Sequence, residues 1–259
     1  MRRIRVEQAG AVGRIVLARP EKKNALDRQM AEELLEALTR FADDASVRAV
    51  ALTADGGDFC AGADLEALAG MVGEPSEVHM RDADALGRVF ITLRHMDKPT
   101  VAAVRGRALA GGAGLATACD LVVAHEGAQF GYPEVRVGFV PAMVMTMLRR
   151  CVGEKAAFEL VATGRTIGAR EALELGLVTR IAADAEFDEA VRATLSSLAS
   201  VHPAALALTK RLFYDLDGLS FREGIALGAD VNVRSRSTDA FREGVERFVQ
   251  RSGQSRGTV

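Results

Sequence analysis

Val104-Arg-Gly-Arg-Ala-Leu-Ala-Gly-Gly-Ala-Gly-Leu-Ala-Thr-Ala-Cys-Asp120 is the stretch whose reading decides the fold. An apolar, β-branched run over 100–104 enters it and a second apolar run over 121–124 leaves it. Between them lie Gly106, Gly111, Gly112 and Gly114, then a short helix of small residues over 113–119. Strand, glycine turn and helix N-terminus together aim free backbone N–H groups at negative charge. Glycine also lets a ligand come close to the main chain. The same glycines would serve tight helix–strand packing, and the pattern alone leaves both readings open. It is not a dinucleotide fingerprint, since G-x-G-x-x-G is not matched. Nor is it a P-loop, because Gly112 and Ala113 follow Gly111 where Lys and Ser/Thr are needed.

A second turn has the same character. Residues 58–65, Asp-Phe-Cys-Ala-Gly-Ala-Asp-Leu, follow an expected strand over 47–53, and a helix begins near them. Upstream, 12–18 reads as a strand ended by Arg19-Pro20. Asp27 then caps a helix whose apolar face is Met30, Leu34, Leu38 and Phe41. A helix carrying Leu86, Val89, Phe90 and Leu93 stops at Lys98-Pro99. Downstream, 129–134 reads as extended chain before Pro133. Helices follow over 140–152, 154–163 and 169–175, the last two stopped by Gly164 and Gly176. A short strand over 178–181 precedes a helical remainder broken at His202-Pro203. Alternating strands and helices up to about residue 182 predict an α/β fold with a helical C-terminal region.

Composition narrows the function classes. The chain has 259 residues, 49% of them hydrophobic, enough for a sizeable core. A net charge of −2 predicts no nucleic acid and no acidic membrane surface as partner. Cys60, Cys119 and Cys151 form no C-x-x-C pair, which fits a reducing compartment. No apolar run reaches the roughly 18 residues of a membrane span. The charged N-terminus lacks the apolar core of a signal peptide. These features predict a cytoplasmic protein. The four histidines show no metal-ligand spacing, and no serine sits in a G-x-S-x-G elbow, so no metal site and no Ser-His-Asp hydrolase is expected.

Several spaced motifs in order make the chain resemble the crotonase (enoyl-CoA hydratase/isomerase) family. They are Phe59-Cys-Ala-Gly-Ala-Asp-Leu65, Lys98-Pro-Thr-Val-Ala-Ala-Val-Arg-Gly106, Ala110-Gly-Gly-Ala-Gly-Leu115 with Ala118-Cys-Asp120, Phe130-Gly-Tyr-Pro-Glu-Val135 with Gly138-Phe-Val-Pro141, and Ala172-Leu-Glu-Leu-Gly-Leu-Val178. The resemblance runs from about Val12 to about Phe248. It implies a spiral of ββα units over 1–198, carrying the coenzyme A and catalytic sites. A helical oligomerisation region would occupy 199–259 and assemble a homotrimer or homohexamer. The implied substrates are acyl-CoA thioesters, so coenzyme A enters as part of the substrate and no cofactor is bound permanently.

The resemblance also assigns roles. The backbone N–H groups of Ala63 and Gly111 would bind the thioester oxygen, where an enolate's charge collects. Ala61, through its carbonyl, would meet the adenine, and Asp64 and Leu65 lie on the same coenzyme A loop. Asp64 is equally suited to cap a helix. Lys22, Lys23 or Lys210 would meet the phosphates unless they are simply solvated surface charges. Glu134 falls on one of the family's two catalytic glutamates, whereas the other falls on Gly114. One carboxylate suffices to move a proton between C2 and C4 in a Δ3,Δ2-enoyl-CoA isomerase. It also permits a hydratase resembling methylglutaconyl-CoA hydratase. A non-catalytic CoA- or RNA-binding member is the alternative from another class. Ala142-Met-Val-Met-Thr146 predicts an apolar wall for the acyl chain.

Overall fold

Ile4 and Val6 alternate with Arg5 and Glu7, and this half-apolar pattern forms an edge strand, β1 (Ile4–Ala9). The computed structural model describes residues 2–254, with side chains described to residue 250. Gly10, at φ +57°, turns β1 back into β2 (Val12–Leu17), which pairs with it antiparallel, Ile4 opposite Leu17. Thereafter the main sheet is parallel. β2, β3 (Ala49–Ala54), β4 (Thr100–Val104), β6 (Leu121–His125) and β9 (Arg180–Ala182) follow β1 in that order. A second sheet has β7 (Gln129–Gly131) between β5 (Arg107–Leu109) and β8 (Thr166–Gly168).

The chain therefore spirals. One turn runs β4, β5 and α4 (Gly111–Ala118), and the next begins β6, β7. Single parallel bridges, Cys60 to Ala108 and Leu26 to Ala63, extend the small sheet into the two earlier turns. Those turns carry α1 (Arg28–Asp43), then α2 (Leu65–Gly70) and α3 (Ser76–His95). Asp27 caps α1 through the Met30 N–H at 2.8 Å, and Met30, Leu34, Leu38 and Phe41 are all buried as the periodicity predicts. This is the α/β spiral with a C-terminal helical region that the resemblance implies.

α5 (Ala142–Cys151), α6 (Glu154–Thr163) and α7 (Ala169–Leu175) wrap the small sheet. α8 (Phe187–Ser200) covers the other face of the main sheet, with Phe187, Val191 and Leu195 against Ala49, Ala51, Val101 and Val123. α9 (Pro203–Asp215), α10 (Phe221–Arg236) and α11 (Asp239–Gln254) complete the chain. Among the described residues no helix is long and apolar enough to cross a membrane, and no cluster of side chains could hold a metal ion. The expected division near residue 198 falls in the last turn of α8.

Lys210 meets neither sequence expectation, phosphate contact or solvated charge. Its ammonium is buried, donating to the carbonyls of Leu93 (2.8 Å) and Lys98 (2.9 Å) and to Asp120 Oδ2 (2.7 Å). Asp120 also accepts from the Tyr214 hydroxyl (2.7 Å) and the Thr100 N–H (2.6 Å). Burial pulls the Lys210 pKa down while Asp120 pushes it up. The clamp ties α9 to α3 and to the turn after α4. Removing one partner of a buried pair leaves the other charge uncompensated. Lys210→Met is thus expected to cost about 3 kcal/mol of stability, read from the urea unfolding midpoint.

Candidate active site

Two segments of the spiral meet where side chains leave no room. Gly62, at φ +97°, would place a Cβ 2.8 Å from the Cβ of Ala110 and 3.0 Å from the Leu109 carbonyl oxygen. A Cβ on Gly112 would lie 2.3 Å from the Cys60 carbonyl oxygen. Glycine at both positions lets residues 60–64 lie against the start of α4. These are the two turns that the sequence pairs.

On the first segment, the Leu26 N–H donates to the Gly62 carbonyl (2.7 Å) and the Asp64 N–H to the Leu26 carbonyl (2.8 Å). In a parallel bridge of this kind the intervening residue turns its own N–H to the opposite side. The Ala63 amide is that group, and among the described residues it has no acceptor. On the second segment, Ala110 holds φ +49° and ψ −123°, a sparsely populated conformation for a residue with a Cβ. Its N–H is anchored on the Gly131 carbonyl (2.8 Å), and its carbonyl accepts from the Gly114 N–H (3.0 Å) to begin α4. The Gly111 amide that follows is the first of the helix and likewise has no acceptor among the described residues. Two donors, one at a helix's positive end, are left for an anionic oxygen.

Glu134 belongs to this region through β7, whose Gly131 anchors Ala110. It lies on a 3-10 turn over Pro133–Val137 rather than in the extended chain the sequence predicts. It is 8% exposed, and its Oε2 is buried without a hydrogen-bond partner. Burial pushes its pKa above the ordinary glutamate value. Tyr132 is buried beside Glu134 and Thr117 of α4, and its hydroxyl makes no well-formed hydrogen bond. A buried carboxylate with one oxygen unpartnered and a raised pKa is suited to exchange a proton.

The position opposite is closed. A Cβ on Gly114 would fall 2.6 Å from Val144 Cγ1 and 3.0 Å from Phe90 Cζ. Where the resemblance places a second glutamate, α5 and α3 have filled the space with hydrocarbon.

Of the residues that the resemblance gives to coenzyme A, Asp64 is the N-cap of α2, accepting from the N–H groups of Glu66 (3.0 Å) and Ala67 (3.3 Å). Burial pushes its pKa up, and those hydrogen bonds and Arg19 outweigh it, leaving the net shift downward. Leu65 is exposed, the Ala61 carbonyl has no donor among the described residues, and the Lys22 ammonium pairs with Glu66.

Arg19 is the residue that the sequence reading misses. It ends β2 just before Pro20, a place that looks like surface, yet it is 7% exposed. Its guanidinium holds Asp64 Oδ2 (2.8 Å), Asp27 Oδ2 (3.2 Å) and the Ala25 carbonyl (3.2 Å). One cation thus pins the caps of α1 and α2 on either side of the Leu26–Ala63 bridge. The only sequence signal is a cation placed between a buried strand and two acidic caps.

The chain is similar to known proteins over nearly its whole length. The family model for enoyl-CoA hydratase/isomerase matches residues 7–255. A Thermus thermophilus protein provisionally named an enoyl-CoA hydratase is 45% identical, covering 96% of this chain and 98% of its own. The crystal structure of a Mycobacterium smegmatis enoyl-CoA hydratase superposes with a TM-score of 0.91 at 33% identity, over 96% of each chain. Human enoyl-coenzyme A hydratase domain-containing protein 3 gives 0.92 at 28% identity, covering 96% of this chain and 98% of that one. The chain belongs to the enoyl-CoA hydratase/isomerase family. It is an enzyme of that family, which acts on acyl-CoA thioesters.

Because Arg19 satisfies two carboxylates, Arg19→Met is expected to destabilise the fold by about 3 kcal/mol in urea titration. Binding of coenzyme A thioesters, followed by calorimetry on the folded variant, is expected to weaken with it.

Proposed function

We propose that the amides of Ala63 and Gly111 hold the thioester oxygen of an enoyl-CoA while Glu134 alone carries the proton. Two amides without acceptors, and a buried glutamate oxygen without a partner on the turn that follows β7, support this reading. Drawing electrons toward the thioester carbonyl puts negative charge on its oxygen, and each fixed donor is worth roughly 3 kcal/mol there. Coenzyme A enters with the substrate, its adenine on the Ala61 carbonyl and its pantetheine along Asp64 and Leu65. Asp64 contributes through its main chain, since its carboxylate is already engaged. Lys22 exchanges Glu66 for a phosphate. No metal takes part.

With one carboxylate, the step the geometry supports best is double-bond migration. Glu134 removes a proton from C2 of a 3-enoyl thioester, and the electrons move onto the oxygen held by the two amides. The same carboxyl returns the proton to C4, leaving the double bond at C2–C3. Closure of the Gly114 position by Val144 and Phe90 supports this, because nothing there orients a water. Hydration is the second reading, and the names of the Thermus and Mycobacterium relatives favour it. In that case Glu134 takes a proton from water, hydroxide adds at C3, and the carboxylic acid protonates C2.

We assign 199–259 to assembly of a homotrimer or homohexamer, which would cover the exposed Phe221, Ile225, Val233 and Phe241. The site would work in the cytoplasm.

Assay with a 3-enoyl-CoA and with crotonyl-CoA side by side separates the two reactions. Glu134→Gln is expected to lower kcat about 10³-fold on whichever substrate turns over. Turnover that survives this change, or coenzyme A binding without turnover of either thioester, overturns the proposal. The pH profile carries a sign. The base must be ionised and burial raises its pKa, so kcat/KM should fall on acidification through a value above the ordinary 4.5 of glutamate. An acid limb at or below that value contradicts the assignment.

A further inference from the structure

A cavity of about 330 Å³ opens beside the Ala63 amide, walled by Leu26, Leu68, Met71, Val78 and Leu86. Leu86 reaches to 3.8 Å from where a Cβ on Gly111 would stand, so this wall of the cavity extends toward the start of α4. Three carboxylates, Arg28 and Gln29 interrupt this apolar lining. Two are spent: Asp27 is bound by Arg19, by Arg3 (2.9 Å) and by the Met30 N–H, and Asp64 by Arg19 and α2. The third is Asp82, one helical turn before Leu86 on α3.

Asp82 is half-buried, and among the described residues its carboxylate has no hydrogen bond and no ion pair. The charged groups around it are Arg28, His79 and Asp27, and Arg28 is already engaged by Glu32 at 2.8 Å. Burial pushes its pKa up, against Arg28 and His79. A half-sunk carboxylate without a partner costs folding free energy, and a plain alkyl chain laid over it would raise that cost. A hydrogen-bond donor on the ligand would remove the penalty.

We propose that this cavity takes the acyl portion of the thioester and that Asp82 selects acyl groups carrying a hydroxyl or amino group beyond the reacting carbons. The inference rests on the placement of the thioester oxygen between Ala63 and Gly111. A site built around a buried acceptor rejects analogues that lack the donor, because its own polar group is then left unpaired.

The test compares binding of two saturated thioesters of equal chain length, one ending in methyl and one in hydroxyl, by competition calorimetry. No chemistry is needed for this readout. The unsubstituted protein is expected to prefer the hydroxyl form about tenfold. Asp82→Leu should invert the preference, and Asp82→Asn, which keeps an acceptor, should retain part of it. An equal preference in the unsubstituted protein, or a ratio unmoved in Asp82→Leu, overturns the inference. The same outcome with Glu134-dependent turnover intact sinks the role of Asp82 alone. A hydroxyl preference that depends on Asp82, without turnover of any enoyl-CoA, sinks the catalytic reading and leaves the pocket standing.

Discussion

The approach of main chain to main chain at Gly62 and Gly112 is the constraint on which the rest of the site depends. A single Cβ at either glycine would drive the two turns of the spiral apart. With them in contact, the Leu26–Ala63 bridge points one amide outward and the strained Ala110 points the next. The surroundings sustain that strain: β7 holds the Ala110 N–H and α4 takes its carbonyl. Neither amide needs a side chain, so the donors are as rigid as the sheet and helix that carry them. Rigid donors do not have to reorganise when charge develops.

Two buried cations lock this arrangement from opposite sides. Arg19 binds the caps of α1 and α2 and so fixes the segment before and after Ala63. Lys210 binds Asp120, just past the end of α4, and gathers one carbonyl from the last turn of α3 and one beyond it. In each case the desolvation of the cation is offset by several acceptors rather than one, the condition under which a buried charge is tolerable. Glu134 has no such clamp: its buried Oε2 has no hydrogen-bond partner among the described residues.

Much of this was legible in the residues. Glycine density over 106–114 and small residues over 58–65 marked the two turns, and the 3–4 spacing of Met30, Leu34, Leu38 and Phe41 gave α1. Other features left weak traces. β1 alternates apolar with charged residues, as a half-covered edge strand does, and escaped notice beside the more apolar β2. β5 and β8 span three residues each, too few for any period. Arg19 and Lys210 look like surface residues because burial of a charge depends on partners far away in sequence. Gly114 announced a missing carboxylate but not what replaced it, since Val144 arrives from another turn of the spiral.

That replacement has an evolutionary consequence. Restoring a glutamate at position 114 is a small genetic change, but the new side chain would collide with Val144 and Phe90. Both neighbours would have to shrink first, each shrinkage opening a void before any benefit returned. The intermediates are worse than either end point. A lineage that reaches this packing is held there by epistasis, because position 114 can gain a side chain only after its neighbours have changed.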